Sequence, residues 1–300
     1  MQHVLITGGS GFIGEQLSKY LSQHGYNVAI LSRTNLPHHN YYYWNIDKDY
    51  IDNEAITNAL AIIHLAGAGI AEKRWTKTRK KVILTSRVDT TKFLFKKVKE
   101  LNPKLKTFIT ASGVGYYGAT TSKKIYCEND NPGTDFLALV CKLWENESLK
   151  FNDLGIRTVI FRTGIVLAAN GGALTKITAP IKKGIGAALG TGKQFVPWIH
   201  IDDLCNLYME AISNKNYEGV FNAVAPEHIT NKSLTKKLGE VLYKKIWLPN
   251  IPVFILRILL GKMAVILLEG SRVSSKKIEK IGFKFSFNSL NTALYNIYKT

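Results

Sequence analysis

A serine and two tyrosines that follow a short apolar run have the side chains best suited to chemistry on a carbonyl or an alcohol. The run is residues 106–110, which we predict to be the fifth strand of a parallel sheet, and Ser112, Tyr116 and Tyr117 come shortly after it. In an open parallel sheet, ligands bind beyond the carboxyl ends of the strands. Hydroxyl groups placed there can bind a substrate oxygen and exchange a proton with it.

Glycines spaced three residues apart near the start of the chain predict a binding site for a dinucleotide. Gly8, Gly11 and Gly14 stand between the apolar run 3–6 and a helical pattern. Glycines let the backbone turn tightly and approach a pyrophosphate, and the helix N-terminus offers free N–H groups and the positive end of its dipole. Because strand, turn and helix occur in the required order, we favour this function over an ordinary turn.

The end of the predicted second strand, residues 27–31, indicates which dinucleotide binds. An NAD site usually presents a carboxylate there to the ribose hydroxyls, whereas the 2′-phosphate of NADP is repelled by a carboxylate and attracted by arginine. The residues are Ser32, Arg33 and Thr34, with no acid among them. We therefore predict NADP(H), with Arg33 on the 2′-phosphate and Ser32 as a hydrogen-bond donor. An exposed loop arginine is the alternative interpretation.

Small residues follow the predicted fourth strand, residues 61–65. The segment Leu65-Ala66-Gly67-Ala68 lets a ligand approach the backbone closely. His64 lies inside this strand, and we interpret it as a packed histidine rather than as a base.

Apolar runs that alternate with helical patterns predict an α/β fold, a doubly wound parallel sheet of the Rossmann type with helices on both faces. We assign residues 1–167 to the dinucleotide-binding domain, which also receives residues 195–224. Residues 168–194 and 225–300 are expected to form a smaller, mainly helical region that covers the substrate.

Composition and charge narrow the classes of partner. Of the 300 residues, 46% are hydrophobic and 21% are charged, which is typical of a soluble globular protein. The net charge is +18, but no basic stripe interleaved with exposed aromatic residues indicates a nucleic-acid site. The apolar stretch 253–268 contains Arg257 and Lys262 and is too short for a good membrane span, so we expect no stable membrane insertion.

The cysteines and the start of the sequence bear on the cellular compartment. Cys127, Cys141 and Cys205 are far apart and fit neither a metal site nor a disulfide framework, which suits a reducing environment. We see no signal segment before the first strand. We therefore expect a cytoplasmic protein that acts on a small-molecule substrate, as a monomer or a homodimer.

Taken together, the motifs resemble those of extended short-chain dehydrogenases/reductases, and more narrowly the atypical branch called YfcH-like, or "epimerase family protein". The matching segments are residues 7–14, 65–68, 74–76, 86–87, 112–118, 135–138, 144–145, 164–167, 171–174, 198–204, 256–264, 270–273 and 282–283. They span essentially the whole chain. The resemblance implies a Rossmann-type NADP-binding domain with a smaller C-terminal substrate domain, and it leaves the substrate open.

The cofactor contacts that we predict combine the strand ends and glycine turn with the family resemblance. They are Gly8, Gly11, Phe12, Ile13, Gly14, Ser32, Arg33, Leu65, Ala66, Gly67, Ala68, Arg87 and Thr110.

The resemblance fails at the pair of residues that carries the usual chemistry of the superfamily. The standard mechanism needs Tyr-x-x-x-Lys on the helix after the fifth strand, where a spacing of four places both side chains on one face. If Glu145 is aligned with the glutamate that often follows this pair, Leu137 takes the tyrosine position and Cys141 the lysine position. Neither can do that work, and Lys142 is one residue further along the helix.

In the interpretation that we favour, the chain is an oxidoreductase or an epimerase with a rearranged acid and base set. Ser112 binds the substrate oxygen, Tyr116 donates the proton and Lys142 is a further candidate. Tyr117 is set aside because the tyrosine-glycine pair that it begins is often structural in relatives. His200 lies in a segment that is largely structural in relatives, so we favour an anchoring role for it.

Two other interpretations stay open. The chain could bind NADP(H) without turnover, as a sensor or a scaffold. Alternatively, the helices of residues 251–268 could contact another protein or a membrane, and the sequence neither supports nor excludes a link to cell division.

Overall fold

Strands and helices alternate along the chain, which is described here by a computed structural model over residues 2–34 and 40–299. The strands are β1 His3–Thr7, β2 Val28–Ser32, β3 Tyr41–Asn45, β4 Tyr50–Ile51, β5 Ala59–His64, β6 Thr107–Gly113, β7 Ile125–Tyr126, β8 Arg157–Thr163, β9 Ile165–Leu167, β10 Trp198–His200, β11 Gly219–Ala223 and β12 Arg272–Val273. The α-helices are α1 Phe12–Gln23, α2 Asn53–Thr57, α3 Lys77–Leu101, α4 Phe136–Leu149, α5 Gly172–Lys182, α6 Ile201–Ser213, α7 Asn231–Val241, α8 Val253–Leu260, α9 Val265–Leu268, α10 Lys276–Lys280 and α11 Leu290–Lys299.

Seven of these strands form one parallel sheet in the order β11-β8-β6-β5-β1-β2-β3, and the short β4 pairs antiparallel with β3 at its edge. The direction in which strands are added reverses between β1 and β5. In sheets of this kind, ligands bind in the crevice outside the carboxyl ends of the strands at that switch point. The predicted fold class, a Rossmann-type doubly wound sheet, is confirmed.

Apolar side chains cover both faces of the sheet, because successive residues of a strand point to opposite sides. Val4 and Ile6 of β1 pack with residues of α1 and α6, such as Leu17 and Leu204. Leu5 packs on the other face, in the cluster that contains residues of α2 and α3. Since both faces are buried, the strands appear in the sequence as continuous apolar runs rather than as alternating patterns.

A separate apolar cluster organises much of the C-terminal third of the chain. It joins the small β9–β10 sheet to α5, α7 and α11 through residues such as Trp198, Leu174, Leu234 and Leu294. Between these elements the chain returns to the large sheet, where β11 pairs with β8. The division into two regions stays a prediction.

The helix α8 exposes several large apolar side chains, which are Phe254, Ile258 and Leu259. Within the described residues, no helix combines the length and apolar character needed to cross a membrane.

Candidate dinucleotide and substrate site

The glycine turn after β1 has the close backbone packing that a dinucleotide site needs. A Cβ atom on Gly14 would lie 2.3 Å from the carbonyl oxygen of Gly8, and one on Gly8 would lie 2.9 Å from the backbone nitrogen of Ala66. Gly8 also has a φ of +72°, a conformation that side chains rarely adopt. Both positions therefore require glycine, and the turn leaves its backbone open to a ligand.

Helix α1 begins at Phe12 without a side-chain cap. Its N-cap is Gly11, whose own N–H donates to the Gly8 carbonyl at 3.0 Å. The first N–H groups of a helix have no partner inside the helix, so those of Phe12 and Ile13 are available to an anion. The Phe12 ring lies where a Cβ on Gly171 would stand, so this side chain joins the turn to the loop before α5.

The end of β2 places Ser32 and Arg33 on the side of the glycine turn away from β5. Arg33 is exposed, and the Ser32 hydroxyl accepts the N–H of Thr34 at 3.1 Å while keeping its own proton to donate. Residues 32–34 present no carboxylate. The 2′-phosphate contact of Arg33 stays a prediction that rests on these residue types.

Thr7 and His64 tie β1 to β5 at the switch point. The Thr7 hydroxyl lies 2.7 Å from His64 Nδ1 and accepts the N–H of Ala66 at 3.2 Å. The other ring nitrogen, Nε2, lies 3.2 Å from the Thr90 hydroxyl, whose proton is directed to backbone carbonyls. The network therefore assigns the proton of the neutral imidazole to Nε2. Burial lowers the pKa of His64 to about 3, and the interpretation as a packed histidine is confirmed.

Arg87 of α3 reaches the backbone after β5. Its Nη1 donates to the carbonyls of Ala68 and Ile83, each at 3.0 Å. A Cβ on Gly67 would lie 2.8 Å from the guanidinium carbon, so Gly67 makes room for this side chain. Thr110, in contrast, is fully buried in β6 and directs its hydroxyl to backbone carbonyls, so the structure does not bring this side chain to the cleft.

Ser112 lies inside β6 rather than after it, because this strand continues to Gly113. Its register partner is Arg162 of β8, so both side chains lie on the same face of the sheet. The Ser112 hydroxyl donates to Glu145 Oε1 of α4 at 2.6 Å, and Arg162 donates to both carboxylate oxygens, at 2.9 and 2.8 Å. Ser112 is therefore held by a buried ion pair.

The two tyrosines after β6 have different environments. Tyr117 is buried, donates to Asn222 at 2.6 Å and accepts from Arg162 at 3.0 Å. Burial raises the pKa of Tyr117 well above its ordinary value. Tyr116 is half-buried, and the Arg162 guanidinium carbon lies 3.3 Å from the centroid of its ring. Tyr117 thus has a structural role, and Tyr116 keeps an accessible edge.

Cys141 of α4, at the expected position of the family's lysine, is buried next to Ser112. Its Sγ lies 3.9 Å from where a Cβ on Gly113 would stand. Burial raises the pKa of Cys141 to about 11, so the group is a neutral thiol. Leu137, at the tyrosine position, packs against Gly115 and belongs to an apolar cluster with Met263.

Lys142 is exposed on another face of α4. Successive helical residues point about 100° apart, so the face that brings Cys141 to Ser112 turns Lys142 toward solvent. The structure does not bring Lys142 to the group around Ser112, and this corrects its selection as a candidate catalytic residue.

His200 anchors the start of α6. It is buried, and its Nδ1 accepts the N–H of Asp202 at 3.2 Å. Its ring lies 3.8 Å from that of Phe287, and burial lowers its pKa. These contacts support the anchoring role rather than catalysis.

The sequence interpretation missed the role of Glu145 and Arg162. A charged residue directly after an apolar run, as Arg162 is after residues 159–161, indicates a buried partner. In the described part of the chain, no group of three or more His, Cys, Asp or Glu side chains could hold a metal ion.

A doubly wound sheet with a glycine turn at its switch point is the arrangement found in dinucleotide-binding proteins. The family model described as "NAD dependent epimerase/dehydratase family" matches residues 4–223, and a domain of unknown function, DUF1731, matches residues 251–297. The chain therefore belongs to the NAD dependent epimerase/dehydratase family.

Relatives match over nearly the whole chain. Epimerase family protein YfhF of Bacillus subtilis is 33% identical over 296 residues, which cover 97% of this chain and 96% of that protein. A crystal structure of human epimerase family protein SDR39U1 (isoform 2) with NADPH has a TM-score of 0.90 at 31% identity and covers all of both chains. A nucleoside-diphosphate sugar epimerase from Corynebacterium glutamicum has a TM-score of 0.81 at 29% identity, covering 99% of this chain and 58% of that one. The resemblance stated from the motifs is confirmed.

Proposed function

We propose that this chain is a cytoplasmic NADPH-dependent enzyme that transfers a hydride to or from a small carbonyl or alcohol, as a reductase or an epimerase-type enzyme. One observation carries the proposal. The glycine cradle after β1 and the Ser112 hydroxyl of β6 stand at the same edge of one sheet, with only β5 between their strands.

The residues of the cradle fit the cofactor. The backbone from Gly8 to Gly14 and the uncapped start of α1 would hold the pyrophosphate, and Arg33 would hold the 2′-phosphate. The NADPH in the human relative's crystal structure supports the same cofactor. When bound, the cofactor supplies a hydride from C4 of its nicotinamide ring.

Ser112 would orient the substrate oxygen. Because the Ser112 proton is given to Glu145, its oxygen keeps lone pairs that accept a hydrogen bond from the hydroxyl of an alcohol substrate or of the alcohol that carbonyl reduction forms. The ion pair between Glu145 and Arg162 fixes that geometry. Cys141 and Leu137 supply apolar or neutral surface that limits water at this point.

Tyr116 would supply the proton that the substrate oxygen receives. In the reductive direction, the carbonyl carbon receives the hydride and its oxygen receives the phenol proton, which solvent later replaces on Tyr116. The guanidinium of Arg162 over the ring stabilises the negative charge that this leaves. Tyr116 thus takes the proton-donor role that Leu137 cannot.

The test is turnover of the purified protein with NADPH deuterated at C4 and a panel of aldehydes, ketones and nucleotide sugars. We expect deuterium in at least one product, and a loss of roughly a hundredfold in rate for Tyr116→Phe, with a loss for Ser112→Ala as well. Lys142→Ala is the matched control and should retain the rate. Turnover that is insensitive to both hydroxyl variants would contradict these roles.

A second candidate function is NADPH binding without chemistry, as a sensor or a scaffold. The observation that favours it is the replacement of both family catalytic groups, by Leu137 and by the neutral Cys141. Tight NADPH binding with no deuterium transfer across the whole panel would select this candidate.

A further inference from the structure

Arg87 is a buried cation without an anionic partner in the described part of the chain. Arg87 is 8% exposed, and among the described residues its side-chain hydrogen bonds join only Nη1 to two backbone carbonyls. A buried charge is costly unless it is paired. The comparable Arg162 is paired with Glu145 through two hydrogen bonds.

Two donors of Arg87 are left without a protein partner. Nε and Nη2 make no hydrogen bond with any described residue, and neither atom is sealed from solvent. The guanidinium stands against Gly67, directly after β5, at the edge of the sheet where ligands bind. A guanidinium with open donors at such a place suits oxygen atoms of a ligand.

The position of Arg87 identifies the half of the dinucleotide that it can reach. Arg33 follows β2, on one side of the glycine turn, whereas Arg87 lies beyond β5, on the opposite side. The two halves of such a sheet bind the two halves of a dinucleotide. Because the 2′-phosphate belongs with Arg33, the nicotinamide half lies toward β5 and β6.

Arg87 also approaches the helix position that lacks the family's lysine. Its guanidinium carbon lies 5.3 Å from the ring centroid of Trp144, less than one turn after Cys141 on α4. The two groups lie close enough for the Arg87 charge to lower the pKa of the Cys141 thiol, against the larger opposite effect of burial.

We propose that Arg87 supplies from α3 the positive charge that the family's lysine supplies from the helix corresponding to α4. In this assignment, which rests on the proposed cofactor, its Nε and Nη2 bind oxygen atoms of the nicotinamide-ribose half of NADPH. In this assignment the positive charge comes from α3 instead of α4 but occupies the same part of the cleft.

Binding measurements on the full chain separate the two halves of the cofactor. Calorimetric titrations with NADPH and with adenosine 2′,5′-bisphosphate, which lacks the nicotinamide half, compare Arg87→Met with Arg33→Ala. We expect Arg87→Met to weaken NADPH about tenfold or more and to leave the bisphosphate unchanged, because charged hydrogen bonds are lost only to NADPH. Arg33→Ala should weaken both ligands. Equal effects of Arg87→Met on the two ligands, or no effect on either, would overturn the proposal.

Moving the cation back to α4 is the second test. Cys141→Lys in the Arg87→Met background should recover most of the lost NADPH affinity, whereas Cys141→Lys alone should weaken binding because two cations then compete for one place. A double variant that binds NADPH no better than Arg87→Met contradicts the relocation. If Arg87→Met does not fold, Arg87→Lys and Arg87→Gln replace it, with affinity kept by lysine and lost by glutamine.

The proposed hydride transfer and the proposed role of Arg87 can be disproved independently. A wild-type protein without turnover would overturn hydride transfer and leave the ratio of the two binding constants interpretable. Thermal unfolding of each variant shows whether the fold is intact, and a purely structural role for Arg87 would lower the unfolding midpoint and weaken both ligands alike.

Discussion

The glycine turn after β1 and the region around α4 differ in whether backbone or side chains form the site. At the β1 end, the cradle consists of backbone, and Gly8 and Gly14 have no substitutes because a Cβ would overlap the chain. At the α4 end, Leu137 and Cys141 stand at the positions predicted for the usual pair, and polar groups reach this region from β6, β8 and α3. A site made of backbone depends on residues at fixed spacing, whereas a charge or a proton donor can come from several neighbouring elements.

The largest effect is expected where the α4 end depends on one buried ion pair. Arg162→Met leaves the Glu145 carboxylate buried without its partner, so we expect the free energy of unfolding to fall by about 3–5 kcal/mol. Denaturant unfolding measures it. The matched control is Lys150→Met, which removes an exposed pair with Glu147 and should cost at most about 1 kcal/mol. Similar losses in both variants would mean that the buried pair does not organise this region.

The next effect tests whether the cradle depends on its backbone. Gly8→Ala should weaken NADPH roughly a hundredfold, because distorting the turn removes charge-assisted hydrogen bonds to phosphate. Gly25→Ala is the matched control, with a similar φ of +82° and no atom within 4 Å of the new Cβ. Both variants carry the strain of a positive φ, and Gly8→Ala adds an overlap with the backbone of residues 65–66, so it should lose more stability. Fluorescence titration of the folded variants should show that only Gly8→Ala loses affinity. Equal NADPH affinity in both variants would contradict the cradle.

A smaller effect distinguishes the two nicotinamide cofactors. Arg33→Ala should weaken NADPH about tenfold and leave NADH unchanged, because only NADPH carries the 2′-phosphate. Parallel titrations with the two cofactors measure the ratio. Equal losses for both would exclude Arg33 as the 2′-phosphate ligand.

The last effect develops gradually with pH and concerns His64, which joins β1 to β5. Its pKa in the folded protein is about 3, below its ordinary value of 6.5, so the unfolded chain binds the extra proton between these limits. Its contribution to stability is therefore complete above pH 6.5 and declines as the pH falls toward 3, by about 1.4 kcal/mol for each pH unit. His64→Asn should lower the slope of unfolding free energy against pH in this window. Identical slopes for the two proteins would contradict a buried neutral His64.

The sequence predicts the fold well because its signals are local. The strands β1, β2 and β5 appear as apolar runs, and the glycine spacing places the switch point beside the first of them. Strand β6 extends to Gly113, beyond the predicted end at residue 110, because Ser112 interrupts the apolar run while the ladder with β8 continues.

The α4 end is less predictable because it depends on long-range contacts and on helix phase. Ser112 and Glu145 are 33 residues apart in sequence, and only the packing of α4 on the sheet brings them together. The chemistry of Lys142 makes it a candidate proton donor in the sequence. Because successive helical residues point about 100° apart, however, Cys141 lies beside Ser112 and Lys142 faces solvent.

The most direct test of a backbone cradle joined to a rearranged reaction end is a crystal structure of this protein with NADPH. We expect the pyrophosphate on the N–H groups of Phe12 and Ile13, the 2′-phosphate on Arg33, and the nicotinamide ring beside Ser112 and Tyr116. A nicotinamide ring directed away from β6, or a 2′-phosphate without contact to Arg33, would contradict the account.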